Sequence, residues 1–200
     1  MAASGDYLLP ARESRPAFDD ARHRVSCGLT GVWHIGEWIS AEEEAALTEC
    51  IDRSHIFQWT KLLDRRLLHL GGSPADSLGQ GIDLEPLPAW TQAVCDEFAR
   101  GAVFPATAPP NHVLLNDYKP GQGIDAHKDG PLYAPLVAVL SLGSHATFQF
   151  VTNTPQQVPV ASLLIPRRGL LIFSGDEAYV QHLHTVTALA ADDLARPGLI

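Results

Sequence analysis

Residues 137–151 read VAVLSLGSHATFQFV, two short apolar runs separated by a Gly-Ser turn. The same texture extends in both directions, because short apolar runs alternate with Gly and Pro throughout the chain after residue 110. Strands of this length and spacing are typical of an antiparallel sandwich or barrel. The sequence therefore predicts strands over residues 112–118, 137–142, 147–151, 162–165, 170–173 and 182–187.

Apolar residues in the first half of the chain recur at helical spacing instead. Ser40 and Glu43 form a capping-box pattern, and the apolar positions that follow predict a helix from about residue 40 to 53. A second helix is predicted near Pro88, because Pro suits a first helical position. The segment between them, 57–74, indicates a loop or hairpin. Helices first and strands afterwards predict an α+β fold, with N-terminal helices buttressing one sheet.

Composition and charge limit the class of protein. The 200 residues are 46% hydrophobic and 18% charged, as in ordinary globular proteins. We expect one domain over residues 28–200, preceded by a flexible arm over 1–27 that lacks periodicity. The formal net charge of −9 excludes a protein that coats nucleic acid with uniform positive charge, but it allows a local basic patch.

The three cysteines, Cys27, Cys50 and Cys95, lie far apart in sequence and form no Cys-x-x-Cys pair. An odd number of scattered cysteines favours a reducing compartment over a disulfide framework or a zinc knuckle. The apolar runs are too short to span a bilayer, and the N-terminus has no apolar signal core. We therefore expect no membrane contact and a location in the nucleus, the cytoplasm or both.

The His127-Lys128-Asp129 motif carries candidate metal chemistry. In extended backbone, residues two apart point to the same side, so His127 and Asp129 offer an imidazole and a carboxylate to one point. Asp125 lies on that side as well and can compete as a ligand, while a return strand can bring His184 alongside. Two histidines and one carboxylate leave three metal positions open, as in non-haem Fe(II) oxygenases, whereas a structural zinc site has four closed ligands.

Asn116 and Tyr118 share one face of the preceding predicted strand. Inside a sandwich, an amide and a phenol need hydrogen-bond partners, because an unsatisfied buried group costs about 1–3 kcal/mol. A small bound carboxylate would supply these partners. In the alternative interpretation, Asn116 caps a turn and Tyr118 packs at the rim with its hydroxyl in water.

Several short motifs occur together between about residues 32 and 189. They are Trp59-Thr60, Arg66-Leu67, Gly71-Gly72, Asn116-x-Tyr118-x-Pro120-Gly121, His127-x-Asp129-Gly130-Pro131-Leu132-Tyr133, Ser141-Leu142-Gly143-Ser144-His145, and Ala178-Tyr179 with His184. Their joint pattern resembles the AlkB family of 2-oxoglutarate- and iron-dependent dioxygenases. The resemblance implies a double-stranded β-helix, or jelly roll, which agrees with the strand texture.

The resemblance also implies roles for single residues. His127, Asp129 and His184 would be ligands of Fe(II), and Asn116 and Tyr118 would hydrogen-bond to 2-oxoglutarate. His182 is the rival of His184 as third ligand, being two residues away on the same face. The family places leucine-like residues at that position, which favours His184.

In the AlkB family, loops ahead of the jelly roll grip nucleic acid and present a methylated base to the iron. Trp59, Lys61, Arg65 and Arg66 form a small positive patch with one aromatic ring, which suits phosphate and base contacts. Tyr133 is placed to stack on a flipped base. In the alternative interpretation, the patch is a solvated turn with Trp59 packed into the core, and Tyr133 is a rim aromatic.

The sequence departs from the family at its end. Family members finish with strands that carry arginines, and one of these pairs with the distal carboxylate of 2-oxoglutarate by a bidentate grip. The sequence stops at Ile200 before any such strand, so we expect the last strands to be lacking. Arg167 and Arg168 lie in a turn between two predicted strands and would replace that arginine only by accident.

The sequence thus predicts an enzyme that uses Fe(II), 2-oxoglutarate and O2 for oxidative demethylation of alkylated nucleic-acid bases, with no catalytic residue beyond the metal site. Its expected partner is single-stranded or damaged nucleic acid. Two alternatives stay open. The first is a protein hydroxylase or demethylase on the same fold, which the acidic balance favours. The second is a non-catalytic binding module without the co-substrate arginine.

Overall fold

A computed structural model describes Leu9 and residues 15–53, 59–74 and 81–189. These residues form three α-helices, twelve β-strands and one π-helical turn, Asp176–Gln181. The helices are α1 (Asp20–His23), α2 (Ala41–Arg53) and α3 (Ala89–Arg100). The strands are β1 (Val32–Ile35), β2 (Thr60–Lys61), β3 (Arg66–Leu70), β4 (Gly72–Pro74), β5 (Ile82–Leu84), β6 (Val113–Asp117), β7 (Ile124–His127), β8 (Leu136–Leu140), β9 (Ala146–Thr152), β10 (Pro159–Ile165), β11 (Leu170–Ser174) and β12 (His182–Val186).

Two antiparallel sheets form the body of the fold. The first has the strand order β1-β11-β8, and the second has the order β10-β9-β12-β7. Their inner faces meet in a core that includes Leu171 and Phe173 from the first sheet, and Phe148, Phe150 and Leu163 from the second. The fold is therefore a sandwich in which β9 and β10 pair as consecutive strands, while the other neighbours in the two sheets are not consecutive in sequence, as expected for a jelly roll.

The helices α2 and α3 cover the outer face of the first sheet. Leu170 and Ile172 of β11 pack there with Leu47 of α2 and with Val94 and Phe98 of α3. Because side chains alternate along a strand, β11 sends Leu171 and Phe173 into the sandwich and its other apolar residues towards the helices. This double burial explains why the β11 segment is an unbroken apolar run rather than an alternating one.

The capping box predicted at the start of α2 is present. The backbone N–H of Ser40 donates to Oε2 of Glu43 at 2.7 Å, and the backbone N–H of Glu43 donates to Oγ of Ser40 at 3.2 Å. The Glu43 carboxylate is buried and forms an ion pair with Arg15. Arg15 also pairs with Glu97 of α3 at 2.9 Å and donates to the carbonyl of Trp38 at 2.8 Å.

Residues 15–27 belong to the folded body, so the expectation of a flexible arm over 1–27 needs correction for this part. Asp19 caps α1, and the backbone N–H of Val25 donates to the carbonyl of Val32 at 3.0 Å. The segment is held in part because Arg15 neutralises the buried Glu43 carboxylate. Residues 1–14, apart from Leu9, and the expected end of the jelly roll at 190–200 lie outside the described residues.

Between α2 and α3, the described residues form the expected hairpin. Strands β2 and β3 pair antiparallel, and the N–H of Leu62 donates to the carbonyl of Arg65 at 2.8 Å to close the turn. Strand β3 also pairs with β6, so this hairpin extends a separate sheet of order β2-β3-β6. Residues 54–58 lie outside the described residues. In the described ranges, no helix combines the length and the apolar character needed to cross a membrane.

Replacement of Arg15 by Gln should lower the free energy of unfolding by about 3 kcal/mol, because it removes the cation that pairs with the buried Glu43 carboxylate and with Glu97. The double variant Arg15→Gln/Glu43→Gln should recover much of that loss. The control is Arg53→Gln, which breaks an exposed pair with Glu49 and should cost less than about 0.5 kcal/mol. Urea unfolding measures all three. Equal losses for Arg15→Gln and Arg53→Gln would contradict the placement of residue 15 in the fold.

Candidate metal centre

Three side chains from two adjacent strands converge at one end of the sandwich. His127 ends β7, Asp129 follows two residues later, and His184 lies in β12 directly opposite His127 in the antiparallel register. The ligand atoms of these three residues all lie within 4.8 Å of one another. Nε2 of His184 is 3.9 Å from Oδ1 of Asp129, and the two imidazole ring centres are 4.3 Å apart.

A backbone contact sets the orientation of the His127 ring. Its Nδ1 lies 2.8 Å from the carbonyl oxygen of Asp125, so Nδ1–H donates there and Nε2 keeps its lone pair for a ligand. The side chain of Asp125 is exposed and does not belong to the cluster of three. Asp125 therefore acts on this site through its carbonyl group, and the structure does not place its carboxylate as a competing ligand.

His184 is buried against aromatic rings. The residue is 9% exposed, and its imidazole lies parallel to the ring of Phe148 at 5.7 Å and contacts Phe173 at 5.0 Å between ring centres. Burial, and secondly the neighbouring His127, lower the pKa of His184 to about 3. The ring is therefore neutral at physiological pH, which is the form that binds a metal.

Asp129 gives the strongest sign that the cluster binds a cation. Burial raises the pKa of its carboxyl group, while His127 acts in the opposite direction. Its Oδ2 atom is buried and has no hydrogen-bond partner among the described residues. A buried carboxylate oxygen without a partner is costly, and a divalent cation removes that cost. Two imidazoles and one carboxylate are also the donor set that suits Fe(II) with open positions.

His182 lies outside this cluster. Its Nδ1 is 2.8 Å from the carbonyl oxygen of Glu177, and it pairs with Thr152 rather than with β7. Of the two histidines weighed as third ligand, the structure brings His184 to the other two residues. Arg167 and Arg168, considered as substitutes for a co-substrate arginine, are engaged elsewhere, since they pair with Glu44 at 2.5 Å and Glu37 at 2.9 Å.

The predicted co-substrate residues lie on β6 and just after it. Nε of Arg65 donates to Oδ1 of Asn116 at 2.9 Å. Burial raises the pKa of Tyr118 to about 12, against the opposing charge of Arg65, so its hydroxyl stays protonated and can donate. The hydrogen bond between Arg65 and Asn116 was not predicted, because the sequence analysis grouped Arg65 with the candidate phosphate-binding residues. A link between a hairpin and a distant strand leaves no local sequence signal.

The positive patch is partly neutralised within the protein. Arg66 pairs with Asp117 at 2.5 Å, and its guanidinium lies 4.4 Å from the ring centre of the half-buried Trp59. Lys61 is exposed on β2. Lys61 and Arg66 are both exposed, but the charge of Arg66 is paired with Asp117, whereas Arg65 is directed to Asn116.

Two tyrosines lie beside the metal cluster. The ring of Tyr133 packs on His112 at 5.2 Å, and Nε2 of His112 is 3.2 Å from Nδ1 of His69. Burial, followed by the charge of Asp129, raises the pKa of both Tyr133 and Tyr179. Both phenols therefore lie close enough to the Asp129 carboxylate for its charge to affect them. The sequence analysis did not predict that Tyr179 lies near Asp129, although the Ala178-Tyr179 motif was part of the resemblance.

Tyr179 is carried by the π-helical turn, which is anchored at several points. Oε2 of Glu177 accepts hydrogen bonds from the N–H and hydroxyl of Thr30 at 2.6 and 2.7 Å. Nζ of Lys128 donates to the carbonyl of Val180. π-Helical turns are frequent at functional sites.

Comparison with known proteins agrees with this geometry. Residues 79–193 match the 2OG-Fe(II) oxygenase superfamily. The chain is 38% identical over 175 residues to the probable RNA/DNA demethylase ALKBH6 of Danio rerio, over 82% of this chain and 72% of that protein. It is 33% identical over 99 residues to the alpha-ketoglutarate-dependent dioxygenase AlkB of Salmonella typhimurium, over 48% of this chain and 44% of that protein.

The fold is similar to the solved structure of OsALKBH1. The TM-score is 0.60 at 16% sequence identity, covering 79% of this chain and 85% of the other. This similarity confirms the predicted α+β jelly-roll fold.

A divalent ion should stabilise the protein through this cluster. At an Mn(II) concentration about 100 times its Kd, the free energy of unfolding should rise by about 2.7 kcal/mol. Asp129→Asn should abolish most of that rise, because it removes the buried carboxylate charge. The matched control Asp125→Asn should keep it, since that side chain is exposed. Thermal unfolding with and without Mn(II) measures the effect, and equal behaviour of the two variants would contradict the assigned cluster.

Acidification should destabilise the metal-free protein through His184. Its folded-state pKa of about 3 lies below the ordinary value of 6.5, so the unfolded chain takes up the proton first and stability is lost as the pH falls from 6.5 towards 3. From pH 7 to 5, this contribution is about 2 kcal/mol. Urea unfolding in EDTA should show a smaller pH effect for His184→Gln than for wild type or His182→Gln. The same loss in all three would contradict the burial of a neutral ring.

Proposed function

Because the chain belongs to the 2OG-Fe(II) oxygenase superfamily, we propose that it is an AlkB-like dioxygenase that removes alkyl groups from nucleic-acid bases. The observation that carries this proposal is the convergence of two imidazoles and one buried carboxylate oxygen that has no hydrogen-bond partner among the described residues, within a jelly roll similar to that of OsALKBH1. Two relatives support the substrate class, because one is named a probable RNA/DNA demethylase and the other is named an AlkB dioxygenase.

In this proposal, His127, Asp129 and His184 hold Fe(II), and Asn116 and Tyr118 hydrogen-bond to 2-oxoglutarate. Bound Fe(II), together with 2-oxoglutarate and dioxygen, would provide the chemistry that oxidises an N-methyl group, and the methyl carbon would be released as formaldehyde. The protein's own contribution is to bind, orient and shield these groups.

The surroundings of His127, His184 and Tyr118 hold each side chain in the form that its proposed partner requires. The hydrogen bond to the carbonyl of Asp125 keeps the His127 ring in the tautomer with Nε2 available. The aromatic rings of Phe148 and Phe173 keep water from His184 and hold it neutral. Because the Tyr118 hydroxyl stays protonated, it offers a donor to a carboxylate oxygen.

The hairpin of β2 and β3 is the candidate nucleic-acid contact. It lies next to β6, which carries the co-substrate residues, and its tip residue Leu63 is 92% exposed. The exposed Lys61 is placed for a phosphate, and Tyr133 at the rim of the metal cluster is placed for a base. Such a contact is local, which suits a chain whose net charge is −9.

The net charge also supports the second candidate, a protein hydroxylase or demethylase on the same fold. Arg66 adds to this argument, because Asp117 neutralises much of its charge. A nuclear or cytoplasmic location is part of the proposal, supported by the absence of disulfides among the described cysteines Cys27, Cys50 and Cys95.

The activity is tested by incubating the full chain with Fe(II), 2-oxoglutarate and a single-stranded oligonucleotide that carries N-methylated bases. We expect succinate and formaldehyde in equal amounts, a loss of both in Asp129→Asn, and little change in Asp125→Asn. Lys61→Gln should weaken oligonucleotide binding and reduce its salt dependence. Formaldehyde from methylated peptides but not from oligonucleotides would favour the protein substrate. A folded, iron-loaded sample that forms no succinate would contradict the enzyme.

A further inference from the structure

Arg65 lies beside Asn116, although it is not part of the metal cluster and the resemblance assigned it to nucleic-acid binding. Its carbonyl oxygen closes the turn between β2 and β3 by accepting from Leu62, and this fixes its backbone. Its side chain is half-buried and reaches across to β6, where Nε donates to Oδ1 of Asn116 at 2.9 Å. The guanidinium is therefore held beside the proposed co-substrate residues.

This contact determines what Asn116 can offer. Because Oδ1 of Asn116 accepts from Arg65, the other end of the amide is Nδ2, which carries two N–H donors. A carboxylate has acceptors alone. Arg65 thus holds the amide in the orientation that a carboxylate ligand requires.

The charge of Arg65 is not balanced inside the described part of the chain. No carboxylate in residues 15–53, 59–74 or 81–189 forms an ion pair with it, whereas the neighbouring Arg66 pairs with Asp117 and covers Trp59. The charge of Arg65 also acts on Tyr118, whose pKa it lowers against the effect of burial. A half-buried cation beside two neutral hydrogen-bonding groups is an environment for an anion.

The two arginines lie on different faces of the hairpin. Consecutive residues of an extended chain project to opposite sides, and Arg66 meets the solvent-exposed Asp117 while Arg65 meets Asn116. In the register of β3 with β6, Asn116 is opposite Leu67, which is two residues from Arg65 and on its side. Arg65 therefore lies on the face of β6 that carries the co-substrate residues, and not with Lys61 as a phosphate contact.

We propose that Arg65 recognises the carboxylate of 2-oxoglutarate that is remote from the keto group. The cation held by His127, Asp129 and His184 would balance one carboxylate of a dicarboxylate ligand, so the other carboxylate would need a cation of its own. The planar guanidinium supplies this charge with its Nη groups while Nε holds Asn116. The inference rests on the proposed function, since it needs 2-oxoglutarate as the co-substrate.

The test compares two ligands of equal length, 2-oxoglutarate and 2-oxopentanoate, which has a methyl group in place of the remote carboxylate. Calorimetry on the full chain, loaded with Mn(II) in the absence of oxygen, gives the Kd of each. Arg65→Gln should raise the Kd for 2-oxoglutarate by about 10- to 100-fold and leave that for 2-oxopentanoate within about threefold. The adjacent control Arg66→Gln should leave both values within about twofold.

A purely structural role for Arg65 predicts a different result, namely an equal loss for both ligands, and that result would overturn the proposal. So would an unchanged affinity for 2-oxoglutarate together with weaker oligonucleotide binding, which would make Arg65 a phosphate contact. If wild type itself binds no 2-oxoglutarate, the proposed function fails as well. Should Arg65→Gln not fold, Arg65→Lys keeps the charge without the planar fork and should give a smaller loss, confined to 2-oxoglutarate.

Discussion

The antiparallel pairing of β12 with both β7 and β9 is the constraint on which the site depends. The register with β7 sets His184 opposite His127, and the pairing with β9 sets the same residue opposite Phe150. One strand therefore brings an imidazole to a metal cluster and packs it among aromatic rings. A slip of one residue would turn His184 to the other face of the sheet, so packing of the core and assembly of the cluster cannot be separated.

The same constraint explains why polar groups are tolerated here in a sandwich that is otherwise apolar. Burial keeps His184 neutral, and Oδ2 of Asp129 has no hydrogen-bond partner in the described part of the chain. Both conditions cost stability, and a bound cation would offset that cost. Elsewhere the protein balances its buried carboxylates internally, as with Arg15 and Glu43, or with Arg167 and Glu44. Glu43 and Glu44 thus stabilise the fold through their arginine partners, whereas Asp129 has a carboxylate oxygen available for a bound cation.

Much of this could be predicted from the sequence where the signal is periodic and local. Turn spacing and short apolar runs located β6 and β8 to β12, and the capping box located α2, but β1 and β7 were not predicted as strands. His127 and Asp129 were paired because residues two apart share a side in extended backbone. What could not be predicted depends on contacts between distant segments. Nothing near Arg15 indicates Glu43, and nothing near Arg65 indicates Asn116, because each partner is set by how helices and strands pack in the folded chain.

The π-helical turn before β12 sets the position of Tyr179, and its geometry makes that position sensitive to chain length. A π-helix accommodates one residue more per turn than the flanking geometry requires. Deletion of a single residue from Asp176–Gln181 would relax it to an α-helical turn and rotate side chains within the turn by about 100° around the axis, while the pairing of β12 keeps its register. Tyr179 would then leave the neighbourhood of Asp129. Homologous chains can thus change the surroundings of the metal cluster by a single-codon insertion or deletion, without altering His127, Asp129 or His184.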